Sequence, residues 1–238
     1  MKKIIEGLLI NYQIVGHGKT DMLILHGWQA SLEEWKPTAD YFKDKYRVFL
    51  VDLPGFGGSS RPNTNWGIFE YADFVMKLIK IFQIKTPVLL GHSFGGRIGI
   101  ILASQEKIVI SKLVLVDAAG MELKSFKTKF LGVASTLFKW LPKSIKSKLG
   151  SSDYKNVGDM KHIFVKIINQ PLRLLAKEIN ISTLIIWGER DQELSLSEAK
   201  LLHKNIQKSK LRIVWGTGHW PHRDEFEDFV NILFEEGI

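Results

Sequence analysis

The sequence predicts an α/β architecture, a mostly parallel eight-stranded sheet flanked by helices. Three observations carry the expectation. Short apolar, β-rich runs alternate with longer segments of helical periodicity, the pattern of a sheet covered on both faces. Three of these runs end in loops that pair glycine with Ser, Asp or His. The pentapeptide Gly91-His92-Ser93-Phe94-Gly95 stands directly between one such run and a helix-like segment.

Taken in order, residues 4–15 read as two antiparallel edge strands, closed by a turn over 16–21. Strands follow near 22–25, 47–51, 87–91, 112–116, 183–187 and 211–215. Each is apolar almost throughout, as suits a strand buried on both sides. Helical segments lie near 32–43, 68–83, 95–105, 195–206 and 223–235. The stretch 122–178, between the sixth and seventh strands, reads as a helical insertion. Within it Phe126, Phe130, Val133, Leu137, Trp140 and Leu141 recur at three- and four-residue spacings, as on one face of an amphipathic helix. Pro142 and Pro171 divide the insertion into three helices. Residues 1–121 with 179–238 then form the core domain, and 122–178 a separate helical unit.

The 238 residues suit one such domain with a modest insertion, and an apolar fraction of 45% supports a sizeable core. With no cysteine, disulfides and thiolate metal sites are excluded, which fits a reducing compartment. Glu6 and Asn11 interrupt any signal-like apolar stretch after Lys2 and Lys3, and no run is long enough to span a bilayer. The expectation is a cytoplasmic protein, monomer or dimer. The net charge of +8 is unevenly placed. Residues 122–177 hold 12 Lys and Arg against 3 acids, whereas the remainder has 21 basic and 22 acidic residues.

Chemistry concentrates at the strand ends. A G-x-S-x-G between strand and helix forces a tight turn that presents the serine hydroxyl to a cleft. Glycine is needed on either side because strand and helix backbones approach too closely for a Cβ. Downstream, the run 183–187 leads into Gly188-Glu189-Arg190-Asp191, and the run 211–215 into Gly216-Thr217-Gly218-His219. With His26-Gly27-Trp28 after the strand 22–25 and Asp52-Leu53-Pro54-Gly55-Phe56-Gly57-Gly58-Ser59 after 47–51, the chain resembles the α/β-hydrolase superfamily. The likeness spans nearly its whole length and is weakest between about 122 and 178, where that superfamily inserts its cap.

The resemblance implies roles. Ser93 is the nucleophile, His219 the base that takes its proton, and Asp191 the acid that fixes the imidazole tautomer. Gly216 and Gly218 let the His219 loop turn back toward Ser93. Asp117, at the end of the strand 112–116, occupies the place where a minority of members carry the acid; otherwise it forms a turn into Ala118. The backbone N–H groups of Phe94 and Trp28 form the oxyanion hole, each donor lowering the barrier by roughly 3–4 kcal/mol. His26 orders the loop, His92 lies inside the elbow, and His222 shapes the last helix or the pocket rim. Trp28, Phe94, Phe130, Trp140 and Trp220 are the candidate substrate-binding side chains. No cofactor and no metal site is implied. Gly18-Lys19-Thr20 lacks the first glycine of a phosphate loop, and His219 with His222 lacks the helical H-E-x-x-H context of a zinc site.

The implied activity is hydrolysis of carboxylic esters through an acyl-enzyme on Ser93. Serine at the elbow argues against the related enzymes with a carboxylate nucleophile. Some phrases are similar to the pimeloyl-carrier methyl esterase of biotin synthesis. Carbon–carbon hydrolases share the same triad, and Arg97 after Gly95-Gly96 is similar to a pyruvate-eliminating lyase. A ligand-binding protein that keeps the fold is the alternative of another class. The expected partner is a small-molecule ester. The basic insertion invites a solvated face or, alternatively, an anionic substrate, an acyl carrier protein or an anionic membrane surface. Nucleic acid is not expected, since no reading module accompanies the charge.

Overall fold

In the computed structural model, residues 1–62, 66–121 and 153–238 are described, with side chains from Met160 onward in the last stretch. Eight strands form one sheet: β1 (Lys2–Ile5), β2 (Leu8–Val15), β3 (Thr20–Leu25), β4 (Tyr46–Val51), β5 (Val88–His92), β6 (Lys112–Val116), β7 (Thr183–Gly188) and β8 (Ser209–Val214). Their order across the sheet is β1-β2-β4-β3-β5-β6-β7-β8. β1 and β2 pair antiparallel at one edge, and every pair from β4 and β3 to β8 is parallel. The expected eight-stranded, mostly parallel α/β sheet is what forms.

The apolar strands have the composition they need because both faces are covered. Within β3, Leu23 and Leu25 face one buried layer while Met22 and Ile24 face the other. The first layer receives α2 (Ile68–Ile81), α3 (Phe94–Ser104), α4 (Asp153–Ile168), α5 (Arg173–Lys177) and α6 (Leu196–Asn205). The second receives the 3₁₀ turn Leu32–Trp35, α1 (Lys36–Phe42) and α8 (Phe226–Glu235). In α2 the buried set Ile68, Tyr71, Ala72, Val75, Leu78 and Ile79 keeps the three- and four-residue spacing of one helical face. Its first turn is secured by Glu70, whose Oε2 accepts the Gly67 N–H at 2.6 Å.

Boundaries depart from expectation where side chains extend the pairing. β3 begins at Thr20 because Thr20 and Asp21 pair with Tyr46 and Arg47, and the Asp21 carboxylate receives Arg47 Nε at 2.8 Å and Nη2 at 3.0 Å. β8 begins at Ser209, opposite Thr183, and Trp215 leaves the sheet 72% exposed. The last helical segment is two helices, α7 (Pro221–Asp224) and α8, broken at Glu225 with φ −135° and ψ 68°. Pro171 lies between α4 and α5. The amphipathic run from Phe126 to Leu141 and the break at Pro142 lie outside the described residues. Among the described residues no helix is long and apolar enough to cross a membrane.

Candidate active site

Ser93 occupies the turn between β5 and α3 with φ 48° and ψ −104°, a conformation that a residue with a Cβ adopts only under strain. The neighbouring chain holds it there. Ser93 N–H donates to Val116 O at 2.9 Å, and Ser93 O accepts from Arg97 N at 3.2 Å and Ala119 N at 3.4 Å. The two flanking glycines are forced by close approach. A Cβ on Gly91 would meet Gly95 O at 2.5 Å, and one on Gly95 would collide with the Leu25 carbonyl. As the first residue of α3, Phe94 carries an N–H that no intrahelical carbonyl can accept.

The loops after β7 and β8 are tied together before their side chains meet. Glu189 N–H donates to Val214 O at 3.0 Å and Arg190 N–H to Thr217 O at 2.8 Å. Asp191 Oδ2 then lies 2.8 Å from His219 Nδ1, with both side chains buried. Asp191 Oδ1 accepts the N–H groups of Glu193 at 2.7 Å and Leu194 at 2.9 Å, so both carboxylate oxygens have donors. Only Gly216 is required by backbone conformation, at φ 79°. Gly218 has open space around its Cα, and the residue that must lack a Cβ is Gly188, which packs against the Gly218 carbonyl. The need for glycine thus falls on the acid loop as much as on the histidine loop.

The other histidines separate clearly. His92 Nε2–H donates to His219 O at 2.8 Å, so His92 supports the backbone of the candidate base. Burial, together with the neighbouring imidazoles, holds its pKa well below 6.5. His26 Nε2 accepts the Leu53 N–H at 2.9 Å and its Nδ1 meets Gly27 O at 2.7 Å. Burial lowers its pKa to about 4, leaving a neutral scaffold ring. His222 is buried against Trp35 and does not shape the pocket rim.

Asp117 directly follows β6 and leads into the turn at Ala118, with its carboxyl turned into the interior. Its side chain is fully buried with φ 41°, and Oδ1 accepts Gly188 N–H at 3.0 Å. Burial and the Asp191 charge push its pKa well above the usual carboxylate range. Oxygens of Asp117 and Asp191 and a nitrogen of His219 all lie within 4.8 Å of one another, the one group among the described residues close enough to share a cation. The Asp191 oxygens are already committed to two N–H donors and the imidazole, so the set fits a His–Asp pair better than a metal site.

Ser93 and His219 line one cavity of about 830 Å³. Trp28, Phe94, Phe164, Ile167 and Ile168 give it an apolar wall, and His92, Glu193 and Trp220 also border it. Phe164, Ile167 and Ile168 come from α4, whose end is held by Arg97: Nη2 donates to Ile167 O at 2.7 Å and Gln170 O at 2.5 Å. Burial lowers the Arg97 pKa to about 10, a cation throughout the neutral range.

A family model described as the α/β hydrolase fold matches residues 22–153, more than half of the chain. The chain belongs to the α/β-hydrolase fold family. A relative from Bacillus subtilis, the uncharacterized hydrolase YugF, is 28% identical over 90% of this chain and 89% of its own. A pimeloyl-[acyl-carrier protein] methyl ester esterase from Legionella pneumophila is 27% identical over 95% of this chain and 99% of its own. Among solved structures, an esterase from Exiguobacterium antarcticum superposes with a TM-score of 0.78 at 22% identity, covering 98% of this chain and 96% of that one.

Within this α/β-hydrolase, the candidates Ser93, His219, Trp28, Phe94 and Trp220 border the same cavity, and Asp191 bonds His219 behind it. Phe130 and Trp140 lie outside the described residues. Sequence reasoning missed Phe164, Ile167 and Ile168, whose spacing of three and four was the available signal. It also missed Glu193, with Oε2 3.5 Å from His219 Nε2, for which an exposed loop acid offers no signal.

Proposed function

We propose that this α/β-hydrolase is a serine esterase that cleaves carboxylic esters with apolar acyl groups. The observation that carries the reading is the buried 2.8 Å contact of Asp191 with His219 on the border of the cavity that Ser93 also faces. His219 Nε2 removes the Ser93 proton as Oγ attacks the ester carbonyl. Asp191 holds the Nδ1–H tautomer and stabilises the imidazolium. The carbonyl oxygen, now negative, is stabilised by the backbone N–H groups of Phe94 and Trp28. The tetrahedral adduct collapses, the C–O bond to the alcohol breaks, and the alcohol leaves with the proton from His219. Water, deprotonated by His219, then attacks the acyl-enzyme and releases the acid. The apolar wall from Trp28 to Ile168 favours the acyl chain, with α4 acting as part of a cap.

A second reading, an anionic or carrier-linked ester as the natural substrate, is favoured by the charge excess in residues 122–177 and by the Legionella relative. The test is labelling by a fluorophosphonate together with turnover of a panel of p-nitrophenyl esters. Labelling and turnover that both vanish in Ser93→Ala support the reading. A wild-type protein that hydrolyses none of the panel points to a ligand-binding role, and labelling that persists in Ser93→Ala places the nucleophile elsewhere.

A further inference from the structure

We propose that Asp117 is a protonated positioning residue behind the Ser93–His219–Asp191 machinery, donating an O–H hydrogen bond to the Asp191 carboxylate. The inference rests on reading those three residues as the triad. Both carboxyl groups are buried and within 4.8 Å of each other, where two negative charges repel with little water to screen them. One must hold a proton, and the donor count decides which. Asp191 receives two backbone N–H groups and the imidazole N–H, three donors that favour its charged form. Asp117 receives one, from Gly188, and its Oδ2 has no donor. A proton on that oxygen turns an unpartnered acceptor beside a carboxylate into a donor to it. The direction of the Asp117 pKa shift agrees.

The charged and titratable groups acting on Asp117 are Asp191 and Glu193 from the β7 loop and His219 from the β8 loop. Among the described residues no Lys or Arg pairs with it, and its backbone leaves little freedom to move. Asp117 N–H donates to Ile186 O at 3.0 Å, and the residue sits at φ 41° between β6 and the Ala118 turn. Strain held at a buried polar residue beside a reactive site is how a fold fixes a group's position. Asp117 does not line the cavity, so it acts through Asp191, setting where that carboxylate lies and how much negative charge it presents to His219.

The experiment follows His219 by NMR titration in the full chain carrying Ser93→Ala, alone and with Asp117→Asn or Asp117→Leu. If Asp117 is neutral in the native protein, the isosteric Asn removes no charge, and the His219 midpoint stays within about 0.3 pH unit. If Asp117 is ionised, Asn deletes a negative charge close to the pair, and the midpoint falls by about one unit or more, which overturns the inference. With the serine restored, Asp117→Leu is expected to lower kcat about tenfold with KM within about twofold, and Asn to recover most of that loss by supplying an N–H donor. A kcat in Asp117→Leu equal to wild type refutes the positioning role. Should Asp117→Leu not fold, the Asn titration still decides the protonation state. Failure of the esterase reading itself has a different signature: no turnover in any version, with the NMR titration still interpretable.

Discussion

The imidazole of His222 lies parallel to the indole of Trp35, ring centroids 4.0 Å apart and planes inclined by 8°. Neither ring nitrogen has a hydrogen-bond partner, and burial lowers the pKa to about 3. The unfolded chain therefore binds a proton here between about pH 6.5 and 3 that the folded one refuses. His26 and His92 act in the same direction, Asp117 in the opposite one. Each group changes the slope of stability by at most about 1.4 kcal/mol per pH unit. Stability should fall on acidification below pH 6.5. His222→Phe, which keeps the stack, should flatten that fall, as measured by Tm between pH 7.5 and 4.5. An unchanged slope would mean that His222 is protonated in the folded protein.

Two carboxylates flank His219, and their burial separates them. Asp191→Asn should lower kcat by about 10⁴, because the amide favours the wrong imidazole tautomer. Glu193→Gln should change kcat no more than a few-fold, since that side chain is 48% exposed and well screened. Steady-state kinetics on one short ester compares both. Equal losses would assign the acid role to the pair.

Arg97 connects the helix after the serine to the end of α4 through two carbonyls. Arg97→Met removes both hydrogen bonds and leaves the carbonyls of Ile167 and Gln170 without that donor. The expected cost is about 2 kcal/mol of stability. Amide exchange over residues 160–170 should accelerate, and KM for long acyl chains should rise more than for acetate. Exchange unchanged over that stretch would show α4 held by its apolar side alone.

Lys139, Lys143 and Lys146 belong to the basic stretch. If that stretch recruits anions, the rate toward an anionic ester should fall with added salt, because at 0.15 M the Debye length is about 8 Å. The triple change to Glu should abolish that selectivity while leaving a neutral ester of equal length unaffected. Equal responses of both esters would mark the lysines as a solvated face.

The sheet was legible because β3 to β7 are apolar on both faces, and Gly91, Ser93 and Gly95 announce a backbone contact as well as a nucleophile. What stayed hidden depends on side chains meeting across distance. The resemblance placed Asp117 at an alternative position for the acid, but nothing near it in sequence says that its carboxyl is buried with Gly188 N–H as its one donor. The extension of β3 to Thr20 depends on Arg47 reaching Asp21, and the buried stack of His222 on Trp35 depends on where α7 packs. The α4 wall is an ordinary amphipathic segment until it lies over Ser93.

The clasp that holds Ser93 also has a consequence in time. The serine's turn is secured by Val116 and Ala119, and its candidate base is His219. A chain made N-terminus first carries the serine well before the candidate base has been added. Until β6 has docked, the bonds to Val116 and Ala119 are not there to offset the cost of φ 48°. If Ser93 and His219 act together as proposed, their site is complete only once residue 219 has been made and the loop after β8 has docked.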